Sequence, residues 1–209
     1  MGVVAVRKRP GLYFNSDTKK YFSIVEYYDG EKYDTVNLDS GAITAGNSLN
    51  LFRDLTDKEK IDTNFDTQRR ISKGEEMLVK RIGADIPNAY GNSLLRGADI
   101  KKVLYGGFLN VKINKIDVAE GPLVMFPCGY GAVGNTTENN ASIVSNGVAS
   151  TASQRQLEKI HEITSEHDIS GTVTFYDHLW DTTTNMPTLD QRVHIRVMLG
   201  GLIRRAATK

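Results

Sequence analysis

The chain has 209 residues and an almost balanced charge, 26 Lys and Arg against 25 Asp and Glu. That balance excludes the strongly basic coat of a bulk nucleic-acid binder. A single cysteine, Cys128, excludes an intrachain disulfide framework and any CxxC metal site, and reads as a buried small hydrophobe.

At this length a substantial core can be buried, and nine Tyr, seven Phe and 19 Gly with few long periodic apolar runs point to β structure. Met1 to Pro10 contains no apolar h-region, and nothing later approaches the ~20 apolar residues of a membrane span. A soluble chain made in the cytoplasm is expected. Arg7-Lys8-Arg9-Pro10 is a short basic arm, either a solvated terminus or a contact with phosphates or anionic lipid.

Two aromatic, β-branched runs follow, Tyr21 to Tyr28 and Tyr33 to Leu38, and Asp29-Gly30-Glu31-Lys32 between them predicts a hairpin turn. Ser40-Gly41 begins another break, and Ile43 to Phe52 is a weak strand. Asp54 to Arg70 interleaves acids and bases without a period and predicts a long loop, with a helical turn near Asp57 to Ile61. A strong strand is expected from Glu75 to Ile86, with Leu78, Ile82, Ala84 and Ile86 on one face and Lys80 breaking the register. Pro87-Asn88 and Gly91-Asn92 end it.

Ile100 to Tyr105 is a short apolar run closed by Gly106-Gly107. From Phe108 to Ile116 the alternation is clean, with Leu109, Val111 and Ile113 facing one way. Gly121-Pro122 turns the chain into a short apolar strand, Leu123 to Phe126. Cys128 to Ser153, rich in Gly, Asn, Ser and Thr, is too long for an ordinary connector and reads as a surface excursion or a flap. Ala152 to Thr164 fits a helix capped by Ser153, or a strand over Ile160 to Thr164. Ile169 to Phe175 is a strand, and Asp181 to Asp190 a loop.

The closing strand places Val193, Ile195, Val197 and Leu199 on one face and His194, Arg196 and Met198 on the other. Gly200-Gly201 then marks a bulge or a close approach. A chain that ends in its best strand closes a sheet there, so the core needs both ends of the sequence. Eight or nine short strands with little helix, no repeat and no linker predict one antiparallel sandwich or barrel.

Catalytic motifs are weak. Gly129-Tyr130-Gly131-Ala132-Val133-Gly134 matches G-x-G-x-x-G, but poor helix sequence follows it and no βαβ unit surrounds it, so a flexible glycine loop is the better reading. His161 and His167 are six residues apart, not the four that a helical zinc pair needs; a metal site would have to recruit Asp168 or His178. The sequons at Asn135 and Asn140 mark a polar loop. No serine sits in a nucleophile elbow, and no carboxylate pair stands out. Trp180 is a core or interface residue, or a sugar-stacking platform.

Three blocks in order carry a resemblance. Asn47 to Phe52 leads through a polar loop to Thr63-Asn64-Phe65, then to Ile71-Ser72-Lys73-Gly74-Glu75 and the strand Met77 to Ile82. Gly107 to Ile113 leads to Gly121-Pro122-Leu123 and the corner Phe126 to Gly131. Val193 to Arg205 closes with a strand, Leu-Gly, apolar residues and arginine. From about Leu49 to Arg205 this order resembles the jelly-roll major capsid proteins of small tailless icosahedral bacteriophages, including those that enclose a membrane.

The resemblance implies an all-β protein: a single antiparallel jelly-roll sandwich with long loops and an extra N-terminal hairpin. Residues 1–40 would be the basic arm plus hairpin, and 41–209 the body. It implies a structural, non-catalytic virion subunit without cofactor, which self-assembles into an icosahedral shell around a genome or an internal membrane. Its partners would be copies of itself, with a second capsid or vertex protein and membrane lipids as candidates, and no sequence-specific nucleic-acid binding. Arg7, Lys8, Arg9, Arg204, Arg205 and Lys209 would line the inner surface against lipid phosphate or genome.

Two alternatives stand beside it. One is a β-sandwich glycan- or receptor-binding module using Trp180 and the Gly129 to Ser150 loop. The other is a cupin-like enzyme, which needs clustered inward His and acid ligands where only His194 sits squarely in a strand.

Overall fold

The alternation at the end of the chain makes one long strand, and its neighbours on both sides decide the architecture. The structure, a computed structural model, describes residues 3–5, 12–15, 19–23, 27–44, 46–87, 97–128, 153–176 and 188–204. The elements run β1 (Val3–Ala5), β2 (Leu12–Asn15), β3 (Lys20–Ser23), β4 (Tyr28–Leu38), β5 (Gly41–Ala42), β6 (Ser48–Leu51) and β7 (Glu76–Asp85). Then come α1 (Gly97–Gly106), β8 (Gly107–Ile113), β9 (Ile116–Pro122), β10 (Arg155–Thr164), β11 (Ile169–Phe175), β12 (Thr188–Leu189) and β13 (Val193–Arg204).

The protein is all-β with one short helix among the described residues. One four-stranded sheet has the order β10-β7-β13-β4 and a second the order β6-β11-β8-β9, with every pairing antiparallel. β1-β2-β3 form a separate three-stranded sheet.

The pairings are nested: β4 with β13, β5 with β12, β6 with β11, β7 with β10 and β8 with β9. From β4 to β13 the chain is one antiparallel ribbon doubled back at its middle. The lateral pairs β7–β13 and β8–β11 gather that ribbon into two sheets. Its tip is Asn114-Lys115, both with positive φ (51° and 67°), the backbone form that suits a two-residue hairpin. The expected strand Phe108 to Ile116 is therefore two strands, and Asn-Lys lacks the glycine that signals such a turn.

Alternate residues of both sheets meet in one apolar core. Val193, Ile195, Val197 and Leu199 enter from β13 as expected, opposite Leu109 and Val111 of β8 and Val173 of β11 in the same cluster. Each such side chain contributes about 1.5–3 kcal/mol when fully buried.

β7 changes phase halfway. Met77 and Val79 reach the core from odd positions, Ile82 and Ala84 from even ones. The switch is a bulge at Lys80, because Gly200 pairs with Arg81 while Gly201 pairs with Val79. β10 steps at the same level, from Gln156 opposite Arg81 to His161 opposite Val79. Leu78, expected on the core face, instead lies opposite Leu202, buried outside the core cluster. Only glycine fits at 201, where a Cβ would lie 1.9 Å from the Leu78 carbonyl oxygen.

Other expectations are corrected. Asp29 to Lys32 is no turn; it runs through β4 opposite Leu202 to Leu199. Gly30 serves packing there, since a Cβ would meet Ile203 Cδ1 at 2.7 Å. β4 thus supplies an edge strand to the first sheet, and the described N-terminal unit is the three-stranded β1-β2-β3 rather than the hairpin expected within residues 1–40. Ile100 to Tyr105 lies in α1, whose Ile100, Val103 and Leu104 are buried at helical spacing.

Leu123–Met125 is a 3-10 turn, after which the Phe126 carbonyl accepts the Ala84 N–H at 2.7 Å and continues the sheet where β10 stops. Arg155–Thr164 is a strand, so Ser153 caps no helix.

Replacing Gly201 by alanine should cost about 3 kcal/mol or more, because the added carbon meets backbone rather than a side chain that can turn away. Urea unfolding measures this; a loss below ~1 kcal/mol would show that the strand crossing is not tight.

Candidate functional site

β4 and β6 end their sheets, and such edges expose backbone donors and acceptors. The connection between β6 and β7 covers part of them. Asn64 takes the place of a strand beside β4: its Oδ1 accepts the Tyr33 N–H at 2.8 Å and its Nδ2 donates to the Glu31 carbonyl at 2.7 Å. On the outer face Arg196 Nη2 donates to the Ile61 carbonyl at 2.6 Å, with its guanidinium over the Tyr33 ring. Thr35 Oγ1 donates to the Asp62 carbonyl at 2.7 Å.

Asp34 fastens the other end. It shares the phase of Val36 and Leu38 on β4, so its carboxylate points inward and is fully buried. Oδ2 accepts the Phe52 N–H at 2.6 Å, and Oδ1 pairs with Lys58 Nζ at 2.8 Å. Phe52 has φ 63°, uncommon for a bulky residue, and its carbonyl accepts the Arg69 N–H at 2.6 Å. The Arg69 carbonyl in turn takes the Ile169 N–H at 2.7 Å. One line of bonds therefore joins β4, the end of β6, the connection and β11.

Two grooves flank this junction. The first, of about 580 Å³, is walled by charges, including the buried Lys32, which pairs with Glu75 at 2.8 Å. The second, of about 600 Å³, lies between the free edges, with residues 35–37 of β4 facing residues 48–50 of β6. Arg53, Asp54 and Gln68 also line it. The Thr56 backbone N–H, donated to Asp54 Oδ1 at 3.0 Å, holds that carboxyl below its ordinary range.

Of the residues expected on an inner surface, Arg204 is described. It pairs with Glu76 and lies over the Tyr27 ring at 5.8 Å. Tyr27 donates to Glu76 Oε2 at 2.9 Å, and burial, followed by that bond, pushes its hydroxyl pKa well above the ordinary value. Arg7, Lys8, Arg9, Arg205 and Lys209 lie outside the described residues, as do Trp180, His178 and the Gly129 to Ser150 loop.

His161 lies in β10, while His167 Nδ1 accepts the Thr164 N–H at 3.0 Å in the following turn. His194 sits on the face of β13 opposite to Val193 and Ile195. Among the described residues no group of three His, Cys, Asp or Glu is placed to hold a metal, and no helix is long and apolar enough to cross a membrane. Cys128 is buried against Met198 Sδ and Gln154 Nε2, each at 3.8 Å, and burial pushes its thiol up to about 11.

Pattern reading missed the roles of Asp34 and Asn64. A signal for Asp34 was present: it is a charge in phase with Val36 and Leu38. Asn64 carries none, because its partners are backbone atoms 31 and 33 residues away. No protein-family model matches the chain, and searches of curated proteins and solved structures return no match either.

Asp34→Ala should cost about 3 kcal/mol, since it leaves the Phe52 N–H unpaired and Lys58 without its counter-charge. A change within ~0.5 kcal/mol in urea unfolding would remove the junction's importance.

Stability should also fall with alkali. A thiol whose folded pKa is raised contributes fully below its unfolded value and loses that contribution as pH rises toward the folded one. For Cys128 the window runs from its ordinary 9.0 to about 11, with about 2.7 kcal/mol at stake. Cys128→Ala should flatten that fall while the Tyr27 contribution persists; an unchanged slope would contradict the assignment.

Proposed function

We propose that the chain is a structural subunit, a jelly-roll coat protein that assembles with copies of itself into the icosahedral shell of a small tailless bacteriophage. The nested pairing carries the reading. Apart from the short β5–β12 pair, eight strands pair first with last, second with seventh, third with sixth and fourth with fifth. We read such a ribbon, gathered into two four-stranded sheets, as a jelly roll, an architecture that viral capsid domains use among others.

Further support comes from the charge, which nearly cancels and so lets many copies lie side by side. The edges point the same way: β4 is covered by Asn64, and β10 is interrupted by a wide bulge. Edges managed in this way leave assembly to surfaces of fixed shape rather than to open-ended strand pairing.

In this reading Arg7, Lys8, Arg9, Arg205 and Lys209 meet lipid phosphate or genome inside the shell. Arg204 belongs to the same set and is paired with Glu76. Other copies are the principal partner, a second capsid or vertex protein an additional one.

Light scattering and negative-stain microscopy across protein concentration and salt test the proposal. Rings, sheets or shells of repeating subunits are expected. A chain that stays monomeric throughout, including with anionic vesicles, would overturn it.

A further inference from the structure

We propose that the turn between β10 and β11 is a pH-sensitive latch, closed by a neutral His167 and released when that imidazole takes up a proton. The turn, Thr164-Ser165-Glu166-His167, carries the chain from the first four-stranded sheet to the second. Thr164 and His167 bond across it in both directions. The His167 N–H donates to the Thr164 carbonyl at 3.0 Å, and the Thr164 N–H donates to His167 Nδ1 at 3.0 Å. The Glu166 N–H reaches Thr164 Oγ1 at 3.4 Å.

This is the reciprocal pattern of a capping box, where Ser or Thr is followed three residues later by a Glu or Gln that takes back the first N–H. Histidine in that place changes the chemistry. A carboxyl or carboxamide keeps an acceptor oxygen at any pH, whereas an imidazolium has two N–H donors and no acceptor. The closed turn therefore needs the neutral ring with its proton on Nε2. Protonation sets Nδ1–H against the Thr164 N–H, donor against donor, and Thr164 loses its partner.

The surrounding charges favour release. Asp168 pairs with Arg69 of the connection at 3.6 Å, and its N–H and carbonyl are bonded to Asn114, beside Lys115. On the β7 side, Glu76 stands opposite Thr164 and pairs with Arg204, while Glu75 pairs with Lys32. Glu166 is exposed and has no cationic partner among the described residues. An imidazolium that turns toward Glu166 leaves Thr164. The latch holds the end of β10: Thr164 is its last residue, in register with Glu76, which also faces Arg204 at the end of β13. In the shell reading this end of the subunit then differs between neutral and acid pH. That consequence rests on the shell; the latch does not.

Amide exchange followed by NMR on the purified full chain tests the latch at pH of about 7.5 and about 5. Rates are converted to protection factors, which removes the intrinsic pH dependence of exchange. Thr164 should lose at least about fivefold in acid, while Val173 within β11 keeps its protection. In His167→Gln, which retains an acceptor at every pH, Thr164 should be equally protected at both. Independently of any variant, the ring nitrogen shifts of His167 at the higher pH should show the proton on Nε2. Thr164 protection that does not change, the same loss in His167→Gln, or a ring carrying its proton on Nδ1 overturns the proposal. A loss shared by Val173 does so too, because acid would then be unfolding the sandwich rather than opening one turn.

Discussion

The passage of the Gly201 backbone across the Leu78 carbonyl governs the first sheet. β7 lies between β13 and β10 and must serve both. With strict alternation, a core face that began at Met77 and Val79 would continue at Arg81 and Gly83, and Ile82 and Ala84 would face outward. The bulge at Lys80 reverses the phase, and both halves of the strand then present apolar side chains to one interior. Glycine on β13 lets the two backbones come close enough for that step. β10 answers with its own wide bulge at the same level, so the irregularity crosses three strands.

The second demand is at the open side, where β4 and β6 end their sheets. A carboxylate on the inward face of β4 would ordinarily be costly. Here Asp34 is compensated by a backbone N–H and an ammonium group, and through Phe52 it ties the two sheets to the long connection. Asn64 and Arg196 complete the cover with bonds to backbone carbonyls on both sides of β4. The polar loop between β6 and β7 is therefore a structural part of the edge rather than a slack connector. Charged side chains are largely neutralised by partners within the molecule, as at Lys32–Glu75 on β4 and at Arg204–Glu76 where β13 ends.

Where one side of a strand is buried and no irregularity intervenes, the sequence by itself determined the outcome. Val193 to Leu199 and Leu109 to Ile113 appear with the expected faces, and Ile169 to Phe175 as the expected strand, because a period of two records burial directly. The all-β class followed from their number and the turns between them. The long loop over 54–70 was likewise legible as a region without apolar period.

What only the tertiary structure decided depends on contacts far apart in sequence. Asp29-Gly30 has the composition of a turn, yet Ile203, 173 residues further on, makes Gly30 a packing glycine within a strand. The phase of β7 depends on Gly201, and the turn at Asn114-Lys115 is held partly by Asp168. Asp34 and Asn64 became parts of a junction only when β4 and β6 arrived as adjacent edges. Local pattern reports which side of a segment avoids water; which partner supplies the buried side, or satisfies a backbone edge, is fixed only when the ribbon folds on itself.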